Sequence, residues 1–200
     1  MSKALIKFFA SLRARGAAET LRNIYVGYLQ VNYFLVFHLN LERLNVLPEI
    51  PGDVVIRRLS SDELDAIRLE NPELPFEFHC DQVFGFQTAF VAFVNNKVAA
   101  IHWLVHHGEF SRFLSLSSSD VEINYNIVLP EFRGRRLAQI LMTELIRAAS
   151  AKGMRRMFGV VHVVNVQQLK PMLDLGFRPV EVLKHFGPWR PKAKLQFLKQ

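Results

Sequence analysis

The sequence predicts an α/β (α+β) fold, in which helices cover both faces of a mixed, mostly antiparallel central sheet and a helical arm precedes it. Three observations lead to this class. Strand-like and helix-like stretches alternate from residue 53 onward, two strands joined by a short asparagine turn form a hairpin, and half of the 200 residues are apolar. A chain of this length and composition can bury one sizeable core.

The N-terminal region, residues 1–52, is predicted to form an amphipathic arm followed by an extra strand. Apolar residues at helical spacing begin at Leu5 and Phe8, and basic residues lie beside them. Such a stripe either lies on an anionic membrane surface or covers a flank of its own domain, and both alternatives stay open. The strand follows at residues 33–41, and prolines and a glycine between residues 48 and 52 end the arm.

The domain proper is predicted to span residues 53–200. Ser60 or Ser61 is predicted to cap its first helix, and residues 60–63, Ser-Ser-Asp-Glu, are close to a capping box. Asn95 and Asn96 suit the hairpin turn, because asparagine tolerates positive φ. The predicted elements are strand 54–58, helix 63–69, an irregular stretch 71–86, hairpin 89–106, a polar loop 108–119, a strand from 121, a helix from 137 to about 151, strand 157–164, helix 166–175 and strand 179–186.

The central stretch, residues 121–138, reads as a strand, a tight turn and a helix. Polar and apolar residues alternate at first, and Pro130 ends the strand because proline has no N–H to donate. The turn is Arg-Gly-Arg-Arg at residues 133–136, and a helical pattern starts at Leu137. The first N–H groups of that helix are unpaired, and the helix dipole and three arginines add positive potential. This turn is therefore predicted to bind a phosphate or pyrophosphate.

The turn does not carry either of the common nucleotide-binding glycine motifs, G-x-x-x-x-G-K-[ST] or G-x-G-x-x-G. It resembles the acyl-coenzyme A loop of the GNAT acetyltransferases, whose pattern is [Q/R]-x-x-G-x-[G/A]. The residues that carry the resemblance are Arg133, Gly134, Arg135, Arg136, Leu137 and Ala138. Arg136 replaces the central glycine of the pattern. We expect it to occupy the first helical turn, where it can offer its own N–H, and we expect cofactor binding to be weakened or reshaped. The alternative is a basic turn before an amphipathic helix.

The resemblance covers residues 53–187 and implies a cofactor site. It implies that acetyl-CoA, or another acyl-CoA, is the co-substrate. No metal is expected, because His79-Cys80-Asp81 has no second Cys/His pair at ligand spacing. In members of this family the strand before the loop carries a bulge, and the pantetheine arm pairs with its open edge; the resemblance thus implies that the arm lies along the backbone of Asn126, Ile127 and Val128. Asn165, at the end of a later strand, is expected to help hold the cofactor. Its alternative role is an N-cap for the helix that follows.

The resemblance also bears on catalysis. The tyrosine that protonates the leaving thiolate in this family corresponds to Met172, which has no proton to give. Glu122 lies where several members keep a glutamate base, and its alternative role is a salt-bridged strand residue. His102 on the hairpin is the second candidate for acid or base, facing the same side as His106, although most such histidines serve packing.

The predicted function is therefore direct transfer of an acetyl or short acyl group from coenzyme A to an amine acceptor, either a cell-envelope sugar or a small molecule. Two alternatives remain: transfer of a longer acyl chain from a carrier protein, and a non-catalytic acyl-CoA-binding module. The net charge of +7 favours an acidic partner such as a phosphorylated cofactor. No nucleic-acid-binding motif is present, so no nucleic acid is expected as a partner.

The lone cysteine, Cys80, excludes an internal disulfide and fits a reducing compartment. No run of apolar residues approaches the length of a membrane span, and no signal peptide is recognised. We therefore expect a cytoplasmic protein, with a peripheral membrane contact through the arm as an alternative. A homodimer is compatible with the sequence, which does not determine the oligomeric state.

Overall fold

The computed structural model describes Tyr25 and residues 30–44, 47–187 and 191–195. Apart from Tyr25, the residues of the helices predicted for the arm lie outside this set. The elements are β1 (Asn32–Asn40), β2 (Val54–Leu59), α1 (Ser61–Glu70), α2 (Cys80–Phe84), β3 (Ala89–Val94), β4 (Lys97–His106), β5 (Asp120–Val128), α3 (Leu137–Ala151), β6 (Arg156–His162), α4 (Val166–Asp174) and β7 (Arg178–His185). The stretch 71–86, predicted to be irregular, contains α2 and a 3-10 turn at Phe76–His79.

The strands form one seven-stranded sheet in the order β2-β3-β4-β5-β6-β1-β7. Neighbouring strands are antiparallel except β5 and β6, which run parallel. The predicted mixed, mostly antiparallel sheet is confirmed. No helix in the described part of the chain is both long and apolar enough to span a membrane.

Local sequence signals account for several element boundaries. Ser60 and Glu63 form the predicted capping box at the start of α1. Asn95 and Asn96 have φ values of 50° and 62°, as the two central residues of a type I′ hairpin turn require. Pro130 opens a 3-10 turn directly after β5, which confirms that the strand ends there.

The extra strand β1 is an internal strand of the sheet. It pairs antiparallel with β6 on one side and with β7 on the other. Val36 and Phe37 on this strand are 0% and 1% exposed. The predicted extra strand of the arm and the strands of the predicted domain therefore belong to one sheet.

Helices cover both faces of the sheet. On one face, α3 packs Leu141 and Leu145 against apolar side chains of β4 and β5, in the cluster that also holds Met172 of α4. On the opposite face, Leu64 of α1 shares a cluster with Trp103 of β4. We call these the α3 face and the α1 face. Alternation along each strand decides which face a side chain lies on.

Two irregularities open the middle of the sheet. The β4–β5 register shifts between Ile101 and Trp103, and Tyr125 opposite this point has a φ of 44°, which together mark a β-bulge in β5. The parallel pairing of β5 with β6 ends at Ile123 and Gly159. Beyond these residues β5 has an unpaired edge, as the resemblance implied.

Candidate functional site

A cleft of about 550 Å³ lies where the end of β5 meets the start of α3 and α4. Its floor is formed by Asn126, Ile127 and Val128 along the unpaired edge of β5. The remaining lining residues are Phe132, Arg133, Gly134, Arg136, Leu137, Ala138, Gln139, Asn165, Gln167, Gln168 and Pro171. The cleft therefore joins an exposed strand edge to the N-terminus of a 15-residue helix, two places where backbone groups remain unpaired.

The turn before α3 has two residues in the left-handed conformation. Gly134 has a φ of 83°, and a Cβ added there would meet no atom within 4 Å. Arg136 has φ 58° and ψ 23° and occupies the N-cap position, with Leu137 as the first helical residue. The expectation that Arg136 lies in the first helical turn was therefore wrong. Arg136 has the left-handed conformation that favours glycine. The loop therefore has the backbone path expected for a glycine at this position, and the arginine is strained there.

Nine of the ten residues predicted to bind the cofactor line this cleft. The tenth, Arg135, instead forms an ion pair with Asp53, the residue before β2. Sequence analysis missed Gln167 and Gln168 on α4. The side-chain amide of Gln168 donates to Oδ1 of Asn126 at 3.1 Å, which joins α4 to the edge of β5.

Asn165 occupies the N-cap position of α4, but its side chain makes no capping hydrogen bond. Asn165 thus has the N-cap position that the sequence predicted as its alternative role, but its side chain does not make the hydrogen bond of an N-cap. Asn165 lines the large cleft and also a second cavity beside it.

The second cavity, of about 200 Å³, occupies the gap between β5 and β6. Met142 and Met172 line it from the α3 face, with His102 on the same side. Tyr125 and His162 line it from the α1 face, where they contact Phe84 and Phe34. The cavity therefore reaches both faces of the sheet through the opening made by the bulge and by the loss of strand pairing.

The two catalytic candidates lie on opposite faces of the sheet. Glu122 lies directly opposite Val105, which belongs to the α1-face cluster, so its side chain is on the α1 face. His102 precedes Trp103 of that same cluster, and because neighbouring residues of a strand point to opposite faces, its side chain is on the α3 face. His102 lines the second cavity, and Glu122 does not. The structure therefore does not bring the two side chains together as an acid–base pair.

Glu122 is connected to the cavity through Asn124. Asn124 Nδ2 donates to Glu122 Oε1 at 3.0 Å, and Asn124 Oδ1 accepts from the backbone N–H of Tyr125 at 2.9 Å. Asn124 lines the cavity. One side chain thus joins the carboxylate to the bulge.

Burial acts oppositely on the two candidates. It raises the pKa of Glu122 to about 7, while the Ser111 hydroxyl and the Lys192 ammonium partly offset this rise. Burial lowers the pKa of His102 to about 3. A carboxylate that titrates near neutral pH is well matched to accepting a proton there, and an imidazole of such low proton affinity is not.

A sequence model of the Acetyltransferase (GNAT) family matches residues 56–177, more than half of the chain. The chain belongs to the GNAT acetyltransferase family. Its members transfer an acyl group from coenzyme A, with acetyl-CoA as the family's co-substrate. No curated protein is similar enough in sequence to match this GNAT chain.

Several solved structures share the fold. A GCN5-related N-acetyltransferase from Sphaerobacter thermophilus is 15% identical with a TM-score of 0.55, and the match covers 90% of this GNAT chain and 59% of that protein. One from Kribbella flavida is 14% identical with a TM-score of 0.54, covering 92% and 66%. AAC(6')-Iy, in complex with the bisubstrate analogue CoA-S-monomethyl-acetylneamine, is 20% identical with a TM-score of 0.50, covering 70% and 99%. This GNAT chain spans between 56% and 65% of the length of three other similar structures.

Met172, which the resemblance aligns with the family's tyrosine, is 2% exposed and packs against β6. A Cβ built on Gly159 would lie 2.6 Å from Met172 Cε and 3.2 Å from Ile123 Cγ1. The glycine thus leaves the space that the thioether fills where β5 and β6 separate. Met172 thus belongs to a closely packed wall of the second cavity, and its side chain brings no hydroxyl there.

Proposed function

We propose that this GNAT chain transfers an acetyl or short acyl group from coenzyme A directly to an amine. The observation that carries the proposal is that the large cleft and the second cavity share Asn126, Asn165 and Gln168 in their walls. A long, phosphorylated thioester can therefore lie in the cleft with its acyl end in the cavity. The cavity's opening on the α1 face admits a second reactant, so the two substrates approach from opposite sides.

Coenzyme A would use two sets of unpaired backbone groups. The pyrophosphate would lie against the turn, where the α3 N-terminus and Arg133 and Arg136 supply positive potential. The pantetheine amides would pair with the free edge of β5 at Asn126 to Val128, as an added strand does. This arrangement directs the thioester sulfur toward the gap between β5 and β6.

Glu122 is the proposed general base. The attacking amine must be neutral, and its proton would pass to the Glu122 carboxylate through water, because the carboxylate is 1% exposed and does not line the cavity. Attack forms the C–N bond, and collapse of the tetrahedral intermediate breaks the C–S bond and releases the coenzyme A thiolate. Met172 gives no proton at that step, so the thiolate leaves unassisted by this residue.

An enzyme-bound acyl intermediate is not part of the proposal. The chain's one cysteine, Cys80, is buried, and burial raises its pKa to about 12. Its thiol is therefore protonated at neutral pH and is a poor nucleophile. Direct transfer needs no such group.

The proposed acceptor is a small-molecule amine or an amino sugar of the cell envelope. An aromatic wall borders the cavity on the α1 face, where Phe84 stacks on Tyr125 with ring centres 4.9 Å apart and on Phe110 at 5.2 Å. Such rings pack against the apolar face of a sugar or of an aliphatic amine. A similar structure contains a glucosamine N-acetyltransferase region, at 15% identity. The cavity of about 200 Å³ suits a short acyl group better than a long chain.

The test is a turnover assay with the full chain. Acetyl-CoA and octanoyl-CoA are each combined with a panel of amines that includes amino-sugar nucleotides, and free thiol is measured from pH 6 to 9. We expect turnover with acetyl-CoA, and a loss of roughly 10²–10⁴-fold in the Glu122→Gln variant at neutral pH. His102→Gln is the matched variant on the opposite face, and a smaller effect is expected there.

Three outcomes contradict parts of the proposal. Turnover with octanoyl-CoA alone favours the long-chain alternative. Tight coenzyme A binding by calorimetry without turnover on any amine favours a non-catalytic acyl-CoA-binding module. An unchanged rate in Glu122→Gln removes that residue from the mechanism and makes His102 the candidate base.

A further inference from the structure

We propose that Lys192, in the segment after β7, is a positioning residue of the active site: it fixes the β4–β5 loop (residues 107–119) so that Ser111 stays against Glu122. The inference rests on the proposed function of Glu122 as the base. It extends the site to residues 191–195, which lie beyond the matched family region 56–177.

Three hydrogen bonds join the C-terminal segment to the loop. Lys192 Nζ donates to the carbonyl oxygens of Ser111 at 2.7 Å and Leu114 at 3.0 Å. The backbone N–H of Ala193 donates to the carbonyl oxygen of Phe113 at 2.8 Å. These bonds connect residues about 80 positions apart in sequence, so the loop has a support that its own strands do not give it.

The same bonds fix the conformation of the loop around Ser111. The backbone N–H of Leu114 donates to Ser111 Oγ at 3.0 Å, which closes a tight turn over the residues that Lys192 holds. Ser111 is 8% exposed and Leu114 is 2% exposed. An ammonium that donates to both ends of this turn locks it as a unit.

Phe113 and Leu114 of the loop pack in one cluster with Phe158, which lies directly opposite Glu122 on β6, so the loop that Lys192 holds covers the Glu122 side of the sheet. Ser111 and Lys192 both act on the Glu122 carboxyl and lower its pKa against the larger effect of burial. On the neighbouring strands, the residues beside Glu122 are Val105 and Phe158, which are apolar. The loop and the C-terminal segment therefore supply the polar surroundings that β4 and β6 do not.

The other charged groups on this side of the sheet have partners of their own. Arg112 lies over the rings of Phe34 and Phe113 and contacts His185 Nε2 at 3.2 Å. The Glu109 carboxylate accepts from the backbone N–H of Gln87 at 2.8 Å. Asp120, on the same side of β5 as Glu122, accepts from Arg156 Nε at 2.6 Å and Nη2 at 2.9 Å. His38 packs against Phe158, and burial lowers its pKa. Of the described residues, Lys192 is thus the cation that acts on the Glu122 carboxylate.

The experiment compares Lys192→Met with Lys194→Met in the full 200-residue chain. Lys194 is two residues further along, and its bond to Glu181 uses the backbone N–H, so removing its side chain leaves the segment attached. The pKa of Glu122 is read from a 13C NMR titration of labelled glutamate, with the signal assigned by Glu122→Gln. The pH dependence of kcat/KM is measured on the same proteins.

In Lys192→Met we expect the Glu122 pKa to rise by about half a unit or more, because an opposite charge that favours the carboxylate is lost. The acid limb of kcat/KM should move to higher pH by the same amount. Lys194→Met should match the parent. Ser111→Ala, which leaves Lys192 in place, should also raise the pKa and provides a second test if Lys192→Met fails to fold.

A Glu122 pKa in Lys192→Met and Ser111→Ala that equals that of Lys194→Met overturns the inference, even if the enzyme is active. A shifted pKa without turnover on any amine keeps the positioning role and contradicts the proposed function. The NMR titration thus separates the two failures.

Discussion

At the scale of single residues, Glu122 shows most directly how the fold changes the chemistry of a side chain. The carboxyl is 1% exposed and its pKa is raised to about 7 by burial. Its surroundings act in two directions: burial among apolar neighbours favours the protonated carboxyl, while Asn124, Ser111 and Lys192 favour the charged form. A carboxylate in such surroundings is suited to take up a proton and is costly to ionise.

This cost gives a prediction about stability. Because the folded-state pKa is raised from 4.5 to about 7, Glu122 contributes stability that is fully present below its unfolded pKa and is lost as the pH rises through about 7. Glutamine cannot ionise, so a glutamine at this position does not lose stability as the pH rises. Glu122→Gln should therefore gain unfolding free energy relative to the parent between pH 5 and pH 8, measured by urea denaturation.

The control for this prediction is Glu63→Gln. Hydrogen bonds from Ser60 lower the pKa of Glu63 below its usual 4.5, so this carboxylate is charged in both states above pH 5 and its parent-to-variant difference should stay nearly constant from pH 5 to 8. A parent-to-variant difference that stays constant from pH 5 to 8 for Glu122→Gln would show that the carboxyl is not perturbed in the folded protein.

At the scale of elements, the strand–turn–helix unit of β5 and α3 combines two conformations that side chains rarely adopt. Tyr125 and Arg136 both have positive φ, at 44° and 58°. The first produces the bulge that changes which face the following residues of β5 occupy, and the second sets the N-cap of α3. Strained residues of this kind persist where the surrounding structure holds them, and they cluster at functional sites.

Arg136→Gly should relieve this strain. A left-handed conformation costs a non-glycine residue about 1–2 kcal/mol, and part of this is offset by the greater freedom of glycine in the unfolded chain. We therefore expect a net gain of about 0.5–1 kcal/mol in unfolding free energy, measured by chemical denaturation. Arg135→Gly is the control, because Arg135 does not have positive φ and would lose its ion pair with Asp53. If Arg136→Gly were no more stable than Arg135→Gly, the proposed strain at Arg136 would be wrong.

At the scale of the whole molecule, the sheet is completed by a strand from outside the matched family region. β1 begins at Asn32, while the family match begins at residue 56. It lies between β6, which borders the second cavity, and β7. The segment 191–195 adds a second contribution from beyond the match, through Lys192. Both ends of the described chain thus support the site.

Phe37→Ala tests the contribution of β1. Phe37 is 1% exposed and packs in the main core, so its removal should cost about 3–5 kcal/mol of unfolding free energy by chemical denaturation. Tyr33→Ala on the same strand is the matched control, since Tyr33 is 43% exposed and should cost much less. Equal costs for the two variants would mean that β1 is not packed as a core strand.

Much of this architecture could be predicted from the sequence because its signals are local. Alternation of polar and apolar residues marks β5, Pro130 ends it, Asn95 and Asn96 make the turn, and Ser60 with Glu63 caps α1. The turn at residues 133–138 indicated an anion site for the same reason, since its arginines and its glycine are consecutive.

Only the tertiary structure decided which residues meet. Arg135 pairs with Asp53 while its neighbours line the cleft, and Gln168 reaches Asn126 from another element. Lys192 contacts the loop at Ser111 across about 80 positions. Such contacts have no periodic or local signature, because they follow from the strand order and from the bulge that shifts the faces of β5. The sequence by itself therefore determined the elements and the basic character of the turn proposed to bind the cofactor, and the packing of the sheet determined which groups face the proposed acyl-transfer site.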